Sequence, residues 1–174
     1  MQSWNNYEER QTMKITRVEK SDKDILKQLI ALFLHDLSEF NRDLEMNSSN
    51  GLFEFDVLDW FFEKDGLTPY FIYKKDKIIG FILLQSGPFS NQKFADYVLN
   101  SFFILKKYRR QGLGKEACKA FFTQLPGRYA VSQIKTNTPA IQFWRNIYES
   151  FYIEFYEKEE LEEGHEVIYQ YFKV

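Results

Sequence analysis

YVLNSFFIL (97–105) is a nearly continuous apolar run, the pattern of an interior strand covered on both faces. A short basic connector, KKY, follows it, and then RRQGLGKEA, after which Leu113, Ala117, Ala120, Phe121 and Leu125 recur at helical spacing until PGR (126–128) stops the helix. A chain that must bury such a strand and follow it at once with a glycine-bearing helix start is committed to a sheet with helices packed on it. The alternation then repeats, with YAVSQIK (129–135) as a strand and TPAIQFWRNIYES (138–150) as a helix with Thr138 at its N-cap.

The flanking sequence supports the same architecture. KITRVE (14–19) alternates as a half-buried strand, and SDKD (21–24) offers N-caps for a helix whose Ile25, Leu29, Leu32, Phe33 and Leu37 share one face, ending near the NRD at 41–43. MNSSNG (46–51) is turn-rich, and LFEFDVLDWFF (52–62) is a short aromatic element that fits helical and strand periods each in part, which leaves its type open. PYFIYKKDKIIGFILLQSG (69–87) reads as a hairpin, while FYIEFYE and EVIYQYFK close the chain as two strands. The order βα(α)βββαβαββ gives a mixed sheet with helices on its faces. Its 174 residues fit one domain, with the polar residues 1–12 read as a loose tail.

Charge and cysteine content narrow the function. A net charge of −2 provides no global positive field for nucleic acid or an anionic membrane, so the basic stretch is a local feature. The single Cys118 allows no internal disulfide and no zinc cluster. Neither a signal-peptide run nor an eighteen-residue apolar run occurs, and the reading is a cytoplasmic protein. Eighteen Phe and eleven Tyr are enough to fill a core and still line a pocket.

The glycine stretch reads chemically as an anion cradle. Free N–H groups and the partial positive charge at a helix N-terminus bind anions, and glycines let phosphate oxygens approach the backbone. The spacing is neither that of a P-loop nor G-x-G-x-x-G; it is R-x-x-G-x-G, on Arg109, Gly112 and Gly114.

Set between an apolar strand and a helix, with a second strand and helix opening on NTPA, this motif resembles the GNAT superfamily of acetyl-coenzyme A dependent N-acyltransferases, over roughly residues 13–173. HDLSEF, PYFI, IIGF, FFILKKYRRQGLG, FFTQLPGRY and NTPAIQFW resemble, more narrowly, a bacterial subgroup of acetyltransferases of undefined acceptor. The resemblance implies an α/β fold, a mixed and mostly antiparallel sheet of about six or seven strands with a splayed parallel central pair and helices on both faces. It implies acetyl-CoA as acyl donor, with the pyrophosphate on the backbone of Arg109, Arg110, Gln111, Gly112, Leu113, Gly114 and Lys115. The pantetheine arm would run along Phe103, Ile104 and Leu105 beside Asn137, Ala140, Phe143 and Trp144.

The catalytic pattern departs from the family. The position of the family's tyrosine acid is Trp144, so Tyr148, one turn on, is the candidate acid, and Asn100-Ser101-Phe102 stand where relatives carry a glutamate base. Glu39 and Asp96, with Asp36, are the carboxylates considered in its place. No metal is expected. The expected activity is direct acetyl transfer from acetyl-CoA to a primary amine, on a small molecule or peptide, by a monomer or homodimer. The alternative is a coenzyme A binding or sensing module with little catalysis.

Overall fold

The computed structural model of the chain describes residues 13–174; the polar stretch read as a tail lies outside the described residues. Strands β1 (Met13–Arg17), β2 (Leu67–Lys74), β3 (Lys77–Ser86), β4 (Tyr97–Ile104), β5 (Arg128–Ile134), β6 (Phe155–Glu162) and β7 (His165–Lys173) form one seven-stranded sheet. Its order is β1-β2-β3-β4-β5-β7-β6, antiparallel throughout except for the parallel β4–β5 pair. The helices are α1 (Lys23–Leu37), the single turn α2 (Trp60–Glu63), α3 (Leu113–Gln124) and α4 (Thr138–Phe151).

The apolar run 97–105 is buried as its sequence requires. One face of β4 sends Leu99 and Ile104 into a core with Phe121, Tyr129, Trp144 and Phe172 under α3 and α4. The other sends Phe103 into a core with Leu26, Leu34, Phe71 and Phe81 under α1. Two layers of helix thus clamp the central strands, and burial of these side chains at about 1.5–3 kcal/mol each dominates the stabilisation.

Several boundaries and faces differ from the sequence reading. Helix α1 stops at Leu37 rather than near residue 41, and it buries Leu26, Leu29, Ile30 and Leu34 while Ile25 and Leu32 stay about half exposed (47% and 50%). Apolar residues occupy two overlapping stripes on this helix, and the one facing Phe71 and Phe81 is rotated from the stripe expected. The ambiguous stretch 52–62 is mostly turn and ends in the four-residue α2, whose Phe61 is buried. Helix α4 is capped by Asn137, whose Oδ1 accepts from Ala140 N–H at 3.2 Å, rather than by Thr138.

The feature that builds a site is the short β4–β5 pairing. It covers only Tyr97, Val98 and Leu99 against Tyr129, Ala130 and Val131, and beyond these residues the strands part. A register shift against β3 makes Asn100 an extra residue in β4 at the point of parting.

Candidate active site

The peptide groups that face the gap follow from the ladder on the other side of β4. Leu105 N–H donates to Ile79 at 2.8 Å, so the alternation along the strand turns the peptide groups of Phe102 and Ile104 toward the gap. The Leu105 N–H is committed to β3, unlike the gap-facing N–H of Ile104, so the three residues 103–105 do not present their main chain to the gap as one set. Phe103 points its ring into the α1 core, edge-on to Phe33 at 5.8 Å. Across the gap, Phe102 stacks on Phe143 (5.5 Å) and meets the edge of Trp144 (5.6 Å), which forms an apolar wall between the end of β4 and α4.

The glycine stretch follows directly at the open end of this gap. Arg110 (φ 62°) and Gly112 (φ 77°) are both left-handed, and Gly112 is the N-cap of α3 with no side chain capping the helix. Among the described residues, none of the backbone N–H groups of residues 110–115 has a protein acceptor. The helix start is therefore an array of free donors with the positive end of the helix dipole behind it. At Gly114 an added Cβ would lie 3.0 Å from the Phe143 ring, so this glycine serves the close approach of α3 to α4. An open recess of about 660 Å³ adjoins the loop, bordered by Arg110, Thr138, Gln142 and Phe143. Of its cations, Lys135 and Arg145 are paired with Glu159 and Glu157, whereas Arg110 forms no ion pair among the described residues.

Arg109 has a different duty from its neighbours. Its Nε donates to Ile104 O at 2.6 Å and its Nη2 to Asp36 Oδ2 at 2.5 Å, with the guanidinium 5.2 Å from the centre of the Phe103 ring. It fastens the end of β4 to the C-terminal turn of α1, and Asp36 is spent in that contact. Just past Asp36, Phe40 O accepts from Thr136 Oγ1 at 3.3 Å, and Asp43 Oδ2 lies 2.9 Å from His165 Nε2. These contacts bring the segment after α1, including the exposed Glu39, to the open end of β5 and the β6–β7 turn. A second recess of about 620 Å³ lies there, on the sheet face away from α4, lined by Ile134, Glu162, Glu163, His165 and Val167.

Two carboxylate and phenol candidates are placed elsewhere. Asp96 precedes the paired end of β4 and takes Arg128 in a fork, with Nη2–Oδ1 2.7 Å and backbone N–Oδ2 2.9 Å. It is separated from the parting at Asn100 by four residues of strand, about 13 Å. Tyr148 is buried (1% exposed), its hydroxyl donating to Gln170 Oε1 at 3.3 Å, and burial pushes the phenol pKa up. Gln170 Nε2 continues to Glu157 at 2.7 Å, so the phenol ends a structural network rather than opening on the gap. Cys118 is buried too, and burial pushes its thiol up.

Asp96 gives a pH prediction. The Arg128 side chain, then its backbone N–H, hold the carboxyl below its ordinary value, so its stabilising contribution is full above the unfolded pKa and is lost as pH falls through the lower folded value. Asp96→Asn is therefore expected to lower Tm at pH 7, with the deficit against wild type shrinking below about pH 4. A Tm difference that stays constant from pH 7 to pH 2.5 refutes the ion-pair account.

A bare helix start beside a parted parallel strand pair is the decisive geometry, and the comparisons agree with it. The family model of the acetyltransferase (GNAT) family matches residues 31–148. The chain belongs to the GNAT acetyltransferase family. As a GNAT protein it is an acyltransferase dependent on acetyl-CoA, a match that reaches the superfamily and not the narrower bacterial group. Its fold is similar to that of an acetyltransferase from Thermus thermophilus (15% identity, covering 94% of this chain and 97% of that one, TM-score 0.64). It is similar as well to the ribosomal-protein-S18-alanine N-acetyltransferase from Escherichia coli (11% identity, 94% of each chain, TM-score 0.61). A third similar structure is Arabidopsis thaliana NAA60 in complex with acetyl-CoA (11% identity, 94% and 100%, TM-score 0.58). No curated protein matches the sequence. Among the described residues, no helix is long and apolar enough to cross a membrane.

Sequence reasoning missed the extra residue at Asn100 and the polar side chain of Gln133, buried on β5. The second had a signal: Tyr129, Val131 and Gln133 share one strand face, and a glutamine in that row breaks an otherwise apolar series.

Proposed function

We propose that this GNAT protein transfers the acetyl group of acetyl-CoA directly to a primary amine while both substrates are bound. The observation that carries the reading is the juxtaposition of the acceptor-free N–H groups of residues 110–115 with the parted end of β4 and β5. Acetyl-CoA, when bound, supplies a thioester carbonyl carbon that the amine nitrogen attacks, so that a C–N bond forms and the C–S bond breaks to leave a thiolate. The N–H groups of residues 110–115 fit its pyrophosphate, with Arg110 as the free cation beside them. The gap-facing N–H and C=O of Phe102 and the N–H of Ile104 fit an extended amide-bearing arm, in the manner of an added strand, Ile104 O being held by Arg109. An N–H of this pair also provides a fixed dipole for charge developing on the carbonyl oxygen.

On the acceptor side, Glu39 takes the proton that the ammonium form of the acceptor must lose before attack. It is the exposed carboxylate carried by the segment that the Phe40–Thr136 contact holds against the open end of β5. The second proton lost by the attacking nitrogen passes to the departing thiolate as the adduct collapses, and departure needs no acid from the chain, because the thiolate of a thiol of pKa about 8.5 is a fair leaving group. The burial of Tyr148 favours, as a second reading, a coenzyme A binding module with little turnover.

The test is calorimetry with coenzyme A, followed by thiol release from acetyl-CoA across a panel of small amines and peptide N-termini. Binding with amine-dependent thiol release is the expected result. Binding without release from any acceptor favours the second reading, and no binding overturns both. Glu39→Gln is expected to cut kcat/KM by about 10²-fold or more at pH 7 with coenzyme A affinity unchanged. Unchanged kcat/KM removes the base role.

A further inference from the structure

Gln133 lies two residues beyond Val131, the last residue of β5 that pairs with β4, and its other edge is occupied by β7 opposite Ile168. It shares a strand face with Tyr129 and Val131, which pack under α3 and α4. The side chain therefore stands on the α4 side of the sheet at a level where β4 has already departed. There the wall consists of Phe102, Phe143 and Trp144, and the recess beside the glycine loop opens.

Gln133 is 8% exposed, and its Oε1 is buried without a hydrogen-bond partner in the protein, the sole side-chain atom of that kind among the described residues. A buried amide oxygen left unpaired by the protein is a standing cost, and such groups are rare enough to require an explanation. An apolar residue would fill the same place on β5 without it, as Val131 does one step earlier. The oxygen is an acceptor, so what completes it is a donor from outside the chain.

We infer that Gln133 is a recognition residue for the acyl donor, its Oε1 accepting a hydrogen bond from a secondary amide N–H of the pantetheine arm. The inference rests on the coenzyme reading above. The donor side of the gap, rather than the acceptor side, is indicated because the opposite face of β5, through Ile134, opens on the recess formed with His165 and Glu162. The amides of the arm are the N–H donors that coenzyme A can place between the parted strands, its phosphates being held outside by residues 110–115. Gln133 and the gap-facing peptide group of Phe102, with the N–H of Ile104, would then engage the arm from both strands. Recognition would thus extend from the pyrophosphate to the amide chain, and a phosphorylated adenosine without the arm would not sense this residue.

The experiment compares Gln133→Leu and Gln133→Met with wild type by calorimetry, using coenzyme A and adenosine 3′,5′-bisphosphate, with Tm of the ligand-free proteins recorded alongside. Both variants are expected to bind coenzyme A about fivefold to tenfold more weakly, with bisphosphate affinity unchanged within about twofold. The ligand-free Tm is expected not to fall, because an apolar replacement removes an unsatisfied buried group. Methionine keeps the length of the glutamine side chain and answers the question if the leucine variant does not fold. Unchanged coenzyme A affinity in a folded variant overturns the inference, as does an equal loss for both ligands, which would mark a general disturbance of the site. Wild-type protein that fails to bind coenzyme A overturns the coenzyme reading itself, an outcome visible before any variant is compared.

Discussion

Gly112→Val is expected to weaken coenzyme A binding by about 100-fold or more, whereas Gly112→Asn keeps most of the affinity. The two substitutions separate two different needs for glycine. An added Cβ at residue 112 would meet nothing within 4 Å, so space is not what this position demands. Its φ of 77° is the demand, since that left-handed conformation costs an ordinary residue about 1–2 kcal/mol and a β-branched one more. Asparagine tolerates it. Valine relieves the strain by rotating the N-cap out of the left-handed region, which reorients the N–H groups of the following residues. Loss of two charge-assisted hydrogen bonds at about 1.5–3 kcal/mol each corresponds to a factor of about 100 or more in Kd. Calorimetry on the three proteins checks it; equal affinity for Gly112→Val and wild type would show that the backbone of this loop does not hold the phosphates.

That prediction was largely written in the sequence, and the reason is physical. A strand, a short connector and a glycine at a helix start are local features, and the free donors of a helix N-terminus follow from the backbone alone. The roles of the basic side chains were not legible. Arg109, Arg110 and Lys107 are equally basic neighbours, yet Arg109 is drawn inward by Ile104 O and Asp36 while Arg110 stays at the recess. Which arginine turns inward depends on where α1 ends, a contact 73 residues away in the chain.

The same limit governs the catalytic candidates. Tyr148 shares a helix face with Trp144, as its spacing requires, but only Trp144 reaches the wall at Phe102, while one turn on Tyr148 packs on Phe172 and Gln170. Periodicity gives the face of a helix, and only the sheet beneath it decides what the face meets. Asp96 was near the right strand and at its wrong end, because the strands part after Val131 and the point of parting depends on the extra residue at Asn100. The segment that carries Glu39 is held at the open end of β5 by a contact no local pattern encodes, the Thr136 hydroxyl on Phe40 O.

Gly80→Ala is expected to lower stability by about 3 kcal/mol, which for a chain of this length corresponds to roughly 6–12 °C in Tm. The cause is steric, since Gly80 has no left-handed φ. A Cβ built there would lie 1.9 Å from Phe103 O and 3.1 Å from Ile104 Cα, and backbone atoms of a central strand cannot swing aside as a side chain end can. The approach is this close because Ile79 is an extra residue opposite the Ile72–Tyr73 step of β2, and the resulting bend presses β3 onto the end of β4. Relieving the clash to about 3 Å means moving Phe103 and Ile104 by about 1 Å toward the gap, the side on which β5 no longer supports them. The same substitution therefore narrows the space between the parted strands, and coenzyme A affinity should fall together with stability. Gly51→Ala is the control: its Cβ meets nothing within 4 Å and it lies in a turn outside the sheet, so it carries only the cost of its own positive φ. Thermal melts and calorimetry on the two variants decide the matter. A Gly80→Ala protein as stable as wild type would show that β3 does not set the position of the strand end, and a destabilised one with full coenzyme affinity would show that the strand end does not hold the arm.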